Sequence, residues 1–433
     1  MSRFVRTLVE TAECSQRGIV VGEPESPQRL PWSEVHRRAR RMAGALLSCG
    51  LQPHSAVAVL SAEPALIAPA VQAVWLTGCS TTMLHQPTPR SDLAVWAEDT
   101  LRVLRMIDAK LVLIGAPFEQ LGPLLRERGI AYRGLAELSE GAELAAPVES
   151  DEDATALLQL TSGSTAEPKA VRITHGNLFA NMEAMAQAAK LDADTDVMVS
   201  WLPLFHDMGM VGFLTVPMTL GIELVKVTPV EFLTGPLIWA ELLSKYRATI
   251  TAAPNFAYAL VGRRLSKVEE ADAYDLSRLR IALNGAEPID ESAVRAFTDA
   301  GARFGMPAEC VLPAYGMAET TLAVSFAPLF TGLTVDQVDA KQLEVNSRAV
   351  PVTGEGSRSF SVLGLPLPGL SVDVVDEQGN GLGDRGVGQL RVRGEAVTPG
   401  YLTVDGPLAG QDEDGWLATG DLGYLADGQV VVC

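Results

Sequence analysis

The 433-residue sequence predicts an α/β fold with two layered α/β subdomains of mostly parallel sheets, followed by a smaller C-terminal β-barrel-like subdomain. Helix-like and strand-like segments alternate early in the chain, and the alternation restarts after an acidic connection. Short β runs with turn signals then fill the last part. The chain length agrees with three subdomains, because a domain typically has about 150 residues. The predicted divisions are 1–153, 154–350 and 351–433.

The first subdomain is predicted from one amphipathic helix and two buried strands. Residues 32–50 place apolar side chains at helical spacing and end in a glycine. Residues 56–60 (AVAVL) and 111–114 (LVLI) are short apolar runs typical of buried strands. The acidic, alanine-rich residues 140–153 are predicted to be a surface connection to the next subdomain.

The second subdomain is predicted to begin with a strand, a polar loop and a second strand. The strands are residues 156–160 and 170–173, and a long helix follows over 176–190. The α/β alternation continues to about residue 326. After residue 363 the sequence changes to short alternating runs such as QLRVRG and GQVVV, which predict the all-β subdomain.

Composition excludes several classes of protein. The hydrophobic fraction of 47% is too high for a disordered chain. The net charge of −19 opposes binding to nucleic-acid backbones or anionic membranes, so we expect no nucleic-acid partner. Apolar segments 65–84 and 210–230 are interrupted by proline, glycine and polar residues and are predicted to be core, not membrane spans. Five scattered cysteines and no apolar leader predict a reducing, cytoplasmic location.

The strongest local motif is the polar loop at 161–169, TSGSTAEPK. Its hydroxyl residues and single glycine could turn backbone N–H groups and hydroxyls toward phosphate oxygens, with Lys169 supplying charge. An ordinary Ser/Thr/Gly turn between strands is the alternative. The glycines at 381, 383 and 386 match a dinucleotide-binding spacing, but a strand-like segment follows them, which predicts a β-turn.

Three further motifs are weak when taken singly. Residues 201–209 (WLPLFHDMG) set a histidine beside an aspartate in an apolar frame, although a lone histidine is usually a packing residue. Residues 315–320 (YGMAET) offer an aromatic ring and a carboxylate that could hold a hard cation. Residues 416–423 (WLATGDLG) predict a turn in which Asp421, after a glycine, could accept two hydrogen bonds from a ribose diol, although an aspartate in a turn is common.

Together, the order and spacing of these motifs resemble the adenylate-forming superfamily of acyl- and aryl-CoA synthetases, luciferases, adenylation domains and fatty acyl-AMP ligases. The resemblance covers essentially the whole chain. It implies that ATP and Mg²⁺ are used to activate a carboxylic acid as an acyl-adenylate, with release of pyrophosphate. In-line attack on phosphorus needs no protein nucleophile, which fits the absence of a G-x-S-x-G motif.

The resemblance also implies roles for individual residues. Tyr315 would pack on adenine, Asp421 would bind ribose and Glu319 would bind magnesium. The catalytic set is Glu319, Lys169 and His206. The nucleotide set is Thr161, Ser162, Gly163, Ser164, Thr165, Gly285, Ala286, Glu287, Tyr315, Gly316, Met317, Ala318 and Asp421. The acyl-pocket set is His206, Asp207, Met208, Gly209, Pro254 and Asn255.

Within the superfamily, the sequence looks most like the fatty acyl-AMP ligases. The segments SWLPLFHDMGMVGF and AAPNFAYAL are typical of that branch, and about 45 residues separate YGMAE from GLPLPG. The additional segment, residues 335–361, resembles the insertion that is typical of these ligases. The resemblance implies a medium- or long-chain fatty acid and transfer to an acyl carrier protein, often of a polyketide synthase. An acyl-CoA synthetase that uses CoA is the alternative.

The sequence departs from the family pattern in the phosphate loop and at its end. Ala166 and Ala170 stand where the family commonly has glycine, which puts the role of Lys169 in question. The family continues into a hinge and a mobile domain that supplies a catalytic lysine. We therefore expect this chain to be the large N-terminal portion of such an enzyme and to be weakly active alone. A non-catalytic adenylate-binding module is the remaining alternative.

Overall fold

The computed structural model describes residues 1–88, 90–161 and 167–433. The helices are α1 (Arg3–Cys14), α2 (Trp32–Ser48), α3 (Pro64–Leu76), α4 (Leu93–Met106), α5 (Gly122–Glu127), α6 (Leu135–Leu138), α7 (His175–Ala189), α8 (Val216–Leu220), α9 (Pro229–Thr234), α10 (Ile238–Lys245), α11 (Asn255–Leu265), α12 (Glu291–Ala302) and α13 (Ala340–Asn346).

The strands are β1 (Gly18–Val21), β2 (Gln28–Pro31), β3 (Ala56–Leu60), β4 (Ser80–Met83), β5 (Ala109–Ile114), β6 (Tyr132–Gly134), β7 (Thr155–Thr161), β8 (Lys169–Thr174), β9 (Val197–Ser200), β10 (Glu223–Lys226), β11 (Ile250–Ala253), β12 (Ile281–Asn284), β13 (Val311–Gly316), β14 (Ala323–Phe326), β15 (Val335–Asp339), β16 (Ser357–Ser361), β17 (Leu365–Pro366), β18 (Leu370–Val375), β19 (Gly388–Gly394), β20 (Gly400–Thr403), β21 (Gly406–Ala409), β22 (Leu417–Ala426) and β23 (Gln429–Val432).

The chain forms two compact units, each assembled from separate stretches of sequence. Unit 1 contains Met1–Met182, Trp201–Pro229 and Thr398–Gly410. Unit 2 contains Glu183–Ser200, Val230–Val397 and Gln411–Cys433. Within the described residues, no helix is both long enough and apolar enough to cross a bilayer. The boundaries predicted at residues 153 and 350 remain a prediction.

Unit 1 is organised around an eight-stranded sheet in the order β21-β20-β8-β7-β4-β3-β5-β6. Strands β7, β4, β3, β5 and β6 are parallel, and β8, β20 and β21 extend the sheet with antiparallel pairs. The apolar runs predicted to be buried form β3 and β5, and the residues of β3 are all buried. Strand β1 pairs with β10 and with β2 in the same unit.

Helix α2 and helix α7 confirm the two helices predicted from periodicity. Helix α2 turns Val35, Ala39, Met42 and Leu46 into the core, as a 3.6-residue period requires. Helix α7 follows directly from β8, and its buried first residue, His175, is considered below.

Unit 2 contains parallel strands in the order β9-β11-β12-β13, continued by antiparallel β14 and β17. A second, fully antiparallel sheet has the order β18-β19-β22-β23. The glycines at 381, 383 and 386 lie outside any helix, just before β19, as the turn prediction required. The predicted fold class is confirmed: α/β with mostly parallel sheets, followed by an antiparallel C-terminal sheet.

Residues 335–361 form a small subassembly of unit 2 that packs on the antiparallel sheet. It contains the β15–β16 hairpin and α13. Val338 and Leu343 join an apolar cluster with Tyr424 and Val431 of that sheet. Asp336 accepts hydrogen bonds from the Tyr424 hydroxyl at 2.8 Å and from Arg385 at 2.9 Å. The segment is therefore held by burial and by a charged network.

Candidate active site

In unit 1, the candidate phosphate loop connects the antiparallel strands β7 and β8. Thr161 and Lys169 are directly paired across these strands, so the loop starts and ends at one point of the sheet. The predicted ligands Ser162, Gly163, Ser164 and Thr165, and the departure at Ala166, lie outside the described residues.

Two side chains at the base of this loop are suited to a ligand. The Thr161 hydroxyl is buried and has no hydrogen-bond partner within the part of the chain that the structure describes. The Lys169 ammonium lies 4.8 Å from the ring centroid of Tyr401 on the adjacent strand β20. A cation over an aromatic face is attracted to the ring, and this attraction restricts the motion of the side chain. Lys169 is therefore placed by a contact that the motif alone did not predict.

The WLPLFHDMG segment, also in unit 1, brings the side chains of His206 and Asp207 into contact. The His206 Nδ1 lies 2.7 Å from Asp207 Oδ1, and the imidazole is half exposed. The hydrogen bond to Asp207 raises the pKa of His206 above its usual value against the opposing effect of burial. Asp207 also accepts the Met208 N–H at 2.7 Å and so caps the helical segment that follows.

That segment is a π-helix, Met208–Thr215, and it is almost entirely buried. Its start depends on Gly209, because a Cβ there would lie 2.1 Å from the Pro203 carbonyl oxygen. The carbonyl of Phe205 accepts a 2.9 Å hydrogen bond from Gln159 of β7. The Phe205 ring lies 5.2 Å from that of His85. Together these contacts fix the backbone immediately before His206.

In unit 2, Tyr315 and Asp421 are brought together from β13 and β22. The Tyr315 hydroxyl donates a 2.5 Å hydrogen bond to Asp421 Oδ2. Burial raises the pKa of the Tyr315 phenol, and Asp421 raises it further. Asp421 lies where the β19–β22 register shifts, next to Gly420 at φ +85°. The predicted turn at Asp421 is thus an irregularity within a strand, which points its side chain at Tyr315.

Glu319 follows in a single 3₁₀ turn, Ala318–Thr320. Its side chain is only 9% exposed and makes no hydrogen bond or ion pair within the described residues. Carboxylate oxygens are ligands that Mg²⁺ prefers, so this side chain could hold a bound cation. Glu319 therefore fits the role of a magnesium ligand, although the described residues contain no cluster of three or more potential metal ligands.

The residues flanking Glu319 are tightly constrained. Gly316 has no room for a Cβ, which would lie 2.0 Å from the Leu322 carbonyl oxygen. Met317 closes this loop by donating its N–H to the same carbonyl at 2.8 Å. Thr321 adopts φ +73°, a rare conformation for a β-branched residue, and donates to the Ala396 carbonyl at 3.0 Å. Backbone strain of this kind concentrates at functional sites.

The predicted residues 285–287 leave the end of β12 in unit 2. Ala286 has φ +69°, and Glu287 is exposed. Pro254 and Asn255 lie at the start of α11, which follows the neighbouring parallel strand β11. Adjacent parallel strands bring their carboxyl ends together, which explains why two motifs thirty residues apart meet.

The predicted residues are therefore divided between the two units. Unit 1 holds Thr161, Lys169 and the 206–209 segment, and unit 2 holds the remaining described residues of the predicted sets. Sequence reasoning missed Tyr401, which contacts Lys169. Within the AAPNFAYAL segment, the Tyr258 hydroxyl donates to the Leu283 carbonyl at 2.7 Å. No spacing signal could reveal Tyr401, because its partner lies more than half the chain away.

The fold and the two groups of residues define an adenylate-forming enzyme, and comparison with known proteins agrees. A family model described as "AMP-binding enzyme" matches residues 10–402. The chain belongs to the AMP-binding enzyme family.

Several relatives are named as ligases or synthetases. A protein of Mycobacterium tuberculosis, named only as a ligase, is 53% identical over 100% of this chain and 80% of its own length. A protein of Caulobacter vibrioides, named as an acyl-CoA synthetase, is 32% identical over 94% of this chain and 72% of its own. A medium-chain-fatty-acid–[acyl-carrier-protein] ligase of Teredinibacter turnerae is 33% identical over 65% of this chain and 46% of its own.

The fold also matches a solved structure from work on fatty acyl-adenylate ligases of E. coli and L. pneumophila. The TM-score is 0.91 at 29% sequence identity, covering 100% of this chain and 79% of the other. The chain is therefore related to adenylate-forming fatty acid ligases in sequence and in fold.

Proposed function

We propose that this protein is a fatty acyl-AMP ligase that activates a medium- or long-chain fatty acid with ATP. A carboxylate oxygen of the fatty acid attacks the α-phosphorus of ATP in line. The new oxygen–phosphorus bond gives acyl-adenylate, and the bond from the α-phosphorus to the bridging oxygen breaks to release pyrophosphate. Both reactants are anionic, so the protein must hold them together against their mutual repulsion.

One observation carries the nucleotide assignment. In unit 2, Tyr315 lies near the end of β13 and donates a hydrogen bond to Asp421 of β22, and the short turn that follows β13 carries Glu319, which is 9% exposed. An aromatic ring for the base, a carboxylate for the ribose diol and a second carboxylate for a cation match the parts of an Mg²⁺–nucleotide. When bound, Mg²⁺ would neutralise phosphate charge and support the leaving pyrophosphate.

The remaining predicted residues receive their roles as part of this proposal. Thr161, Ser162, Gly163, Ser164, Thr165 and Lys169 bind the phosphates, and Gly285, Ala286, Gly316, Met317 and Ala318 contact the nucleotide through the backbone. His206, whose imidazole is held by Asp207, borders the fatty acid carboxylate. Met208, Gly209, Pro254 and Asn255 belong to the acyl pocket.

We further propose that the acyl group passes to an acyl carrier protein in the cytoplasm. The ligase of Teredinibacter turnerae supports this acceptor, whereas the Caulobacter vibrioides relative favours CoA. The packed segment 335–361, which resembles the insertion of fatty acyl-AMP ligases, favours the first. Incubation of the full-length enzyme with ATP, Mg²⁺, dodecanoate and CoA should leave acyl-adenylate, and rapid acyl-CoA formation would overturn the acceptor assignment.

The test of the activity is detection of the product under single-turnover conditions. Protein in excess over radiolabelled dodecanoate, with ATP and Mg²⁺, should yield dodecanoyl-adenylate by mass spectrometry and chromatography. Glu319→Gln should reduce the rate at least about 100-fold, because the neutral amide binds a hard cation poorly. The matched control is Glu344→Gln, an exposed residue of α13. No acyl-adenylate from any fatty acid with the unaltered protein would leave only the non-catalytic binding module.

A further inference from the structure

The loop after β12 holds Ala286 in the left-handed region of backbone space, at φ +69°. An L residue other than glycine, asparagine or aspartate rarely adopts this conformation, because its Cβ crowds the neighbouring carbonyl. Ala286 and Glu287 are both exposed, so burial does not stabilise the loop. Contacts from a neighbouring element must therefore hold it in place.

Helix α11 provides two of those contacts. The Tyr258 hydroxyl donates a 2.7 Å hydrogen bond to the carbonyl of Leu283, near the end of β12. The Asn284 amide, fully buried, donates to Asn255 Oδ1 at 3.1 Å. Both bonds run between the first turn of α11 and the end of β12, so they join the base of the loop to the helix.

A third contact reaches the loop itself. Helix α11 has Pro254 at its N-cap position, and this residue has no side-chain oxygen to accept a hydrogen bond from the first turn. Glu287 takes over this function, because its Oε1 accepts the Phe256 N–H at 2.6 Å. A carboxylate is also favoured at a helix N-terminus by the direction of the backbone dipoles.

We propose that Glu287 is a positioning residue: it caps helix α11 from the loop and thereby fixes the backbone of Gly285 and Ala286. Its expected contact with the nucleotide stays a prediction, which the Glu287→Gln variant below tests separately. The loop and the first turn of α11, which carries the proposed pocket residue Asn255, then form one rigid piece. The consequence for catalysis depends on the proposed adenylation, whereas the capping contact does not.

The test uses amide hydrogen exchange in the ligand-free protein together with acyl-adenylate formation. In Glu287→Ala, exchange in the first turn of α11 should become about five-fold faster, since the cap is lost. Glu287→Gln keeps an oxygen that accepts the Phe256 N–H, so its exchange should stay within about two-fold of the original. Acyl-adenylate formation should follow the same order, with a roughly ten-fold loss in kcat/KM for Glu287→Ala alone.

The possible results distinguish the capping role of Glu287 from the proposed adenylation activity. Glu291→Ala, which removes another carboxylate from the next helix, should leave exchange in α11 unchanged and serves as the control. Unchanged exchange in Glu287→Ala would overturn the capping role. Unaltered exchange with lost activity in Glu287→Gln would instead restore Glu287 as a charged ligand contact. Failure of the original protein to form acyl-adenylate would contradict the proposed function and leave the exchange result standing.

Discussion

Two buried polar side chains, Glu319 and His175, have different consequences for this molecule. Glu319 lies in a turn among the predicted site residues, and a bound cation would compensate for its burial. His175 lies at the start of α7, outside all of the predicted sets, with Nδ1 3.0 Å from the Ser2 hydroxyl. Its Nε2 has no partner among the residues that the structure describes. Glu319 is suited to binding a ligand, whereas His175 affects the stability of the fold.

His175 should make the protein sensitive to acid. Burial lowers its pKa to about 4, so the folded protein keeps the imidazole neutral. The unfolded chain binds a proton near pH 6.5, and the stability present above that pH is therefore lost as the pH falls toward 4. Between pH 7 and pH 5 this one group should remove about 2 kcal/mol from the free energy of unfolding.

Urea titrations of the protein and of His175→Asn at the two pH values measure this effect. The variant should lose about 2 kcal/mol less than the original over the same interval. The histidine removed is one of five, and the other four are present in both proteins. Parallel pH dependence of the two proteins would contradict the assignment.

At the scale of elements, the start of the π-helix depends on two residues. Asp207 caps it and Gly209 permits its first turn to approach the Pro203 carbonyl. Such insertions in a helix recur at functional sites because they redirect the side chains before and after them. In this chain His206 lies two residues before the π-helix.

Gly209→Ala should destabilise unit 1 by about 2 kcal/mol, because the added methyl collides with backbone and the backbone must shift. Adenylate formation should fall as His206 moves. Gly235→Ala is the matched control, since no atom lies within 4 Å of its added Cβ. Differential scanning calorimetry of both variants checks the prediction, and equal transitions would show that the backbone yields at little cost.

Elements with a strong local pattern could be predicted from the sequence, whereas their partners could not. Strands β3 and β7 and helix α2 lie within a residue or two of the predicted ranges, because a continuous apolar run or a 3.6-residue period is a local property. The sequence predicts a turn at Asp421, because no local pattern distinguishes a turn from an irregularity within a strand. The pairing of β19 with β22 determines which of the two forms, and this pairing joins residues that are far apart in the sequence.

The candidate active site shows the same difference: its residue types could be predicted from local motifs, but their contacts could not. The motifs identified Tyr315, Glu319 and Asp421 as candidates by residue type and order, but the Tyr315–Asp421 hydrogen bond joins residues 106 positions apart. Glu287 was expected to line the nucleotide site. Its bond to Phe256 depends on the parallel arrangement of β11 and β12, which no short motif encodes.

At the scale of the whole molecule, the charge of −19 should oppose the compact state through self-repulsion. Raising NaCl from about 20 mM to 200 mM at pH 7.5 should therefore increase the unfolding temperature by roughly 2 °C through screening. The same salt change at a pH near the isoelectric point should have little effect. Thermal unfolding monitored by intrinsic fluorescence compares the two, and an equal salt response at both pH values would contradict the electrostatic explanation.

The late strand β20 gives unit 1 an unusual order of assembly. Its partner β8 ends at Thr174, and β20 begins at Gly400, so about 225 residues are synthesised after one strand before the other exists. At ~5–20 residues per second, the ribosome needs at least ~10 s for that stretch. The nascent β8 edge is unpaired throughout, a condition that invites pairing with other chains. We expect translation speed and chaperone supply, more than native stability, to limit the yield of this protein in cells.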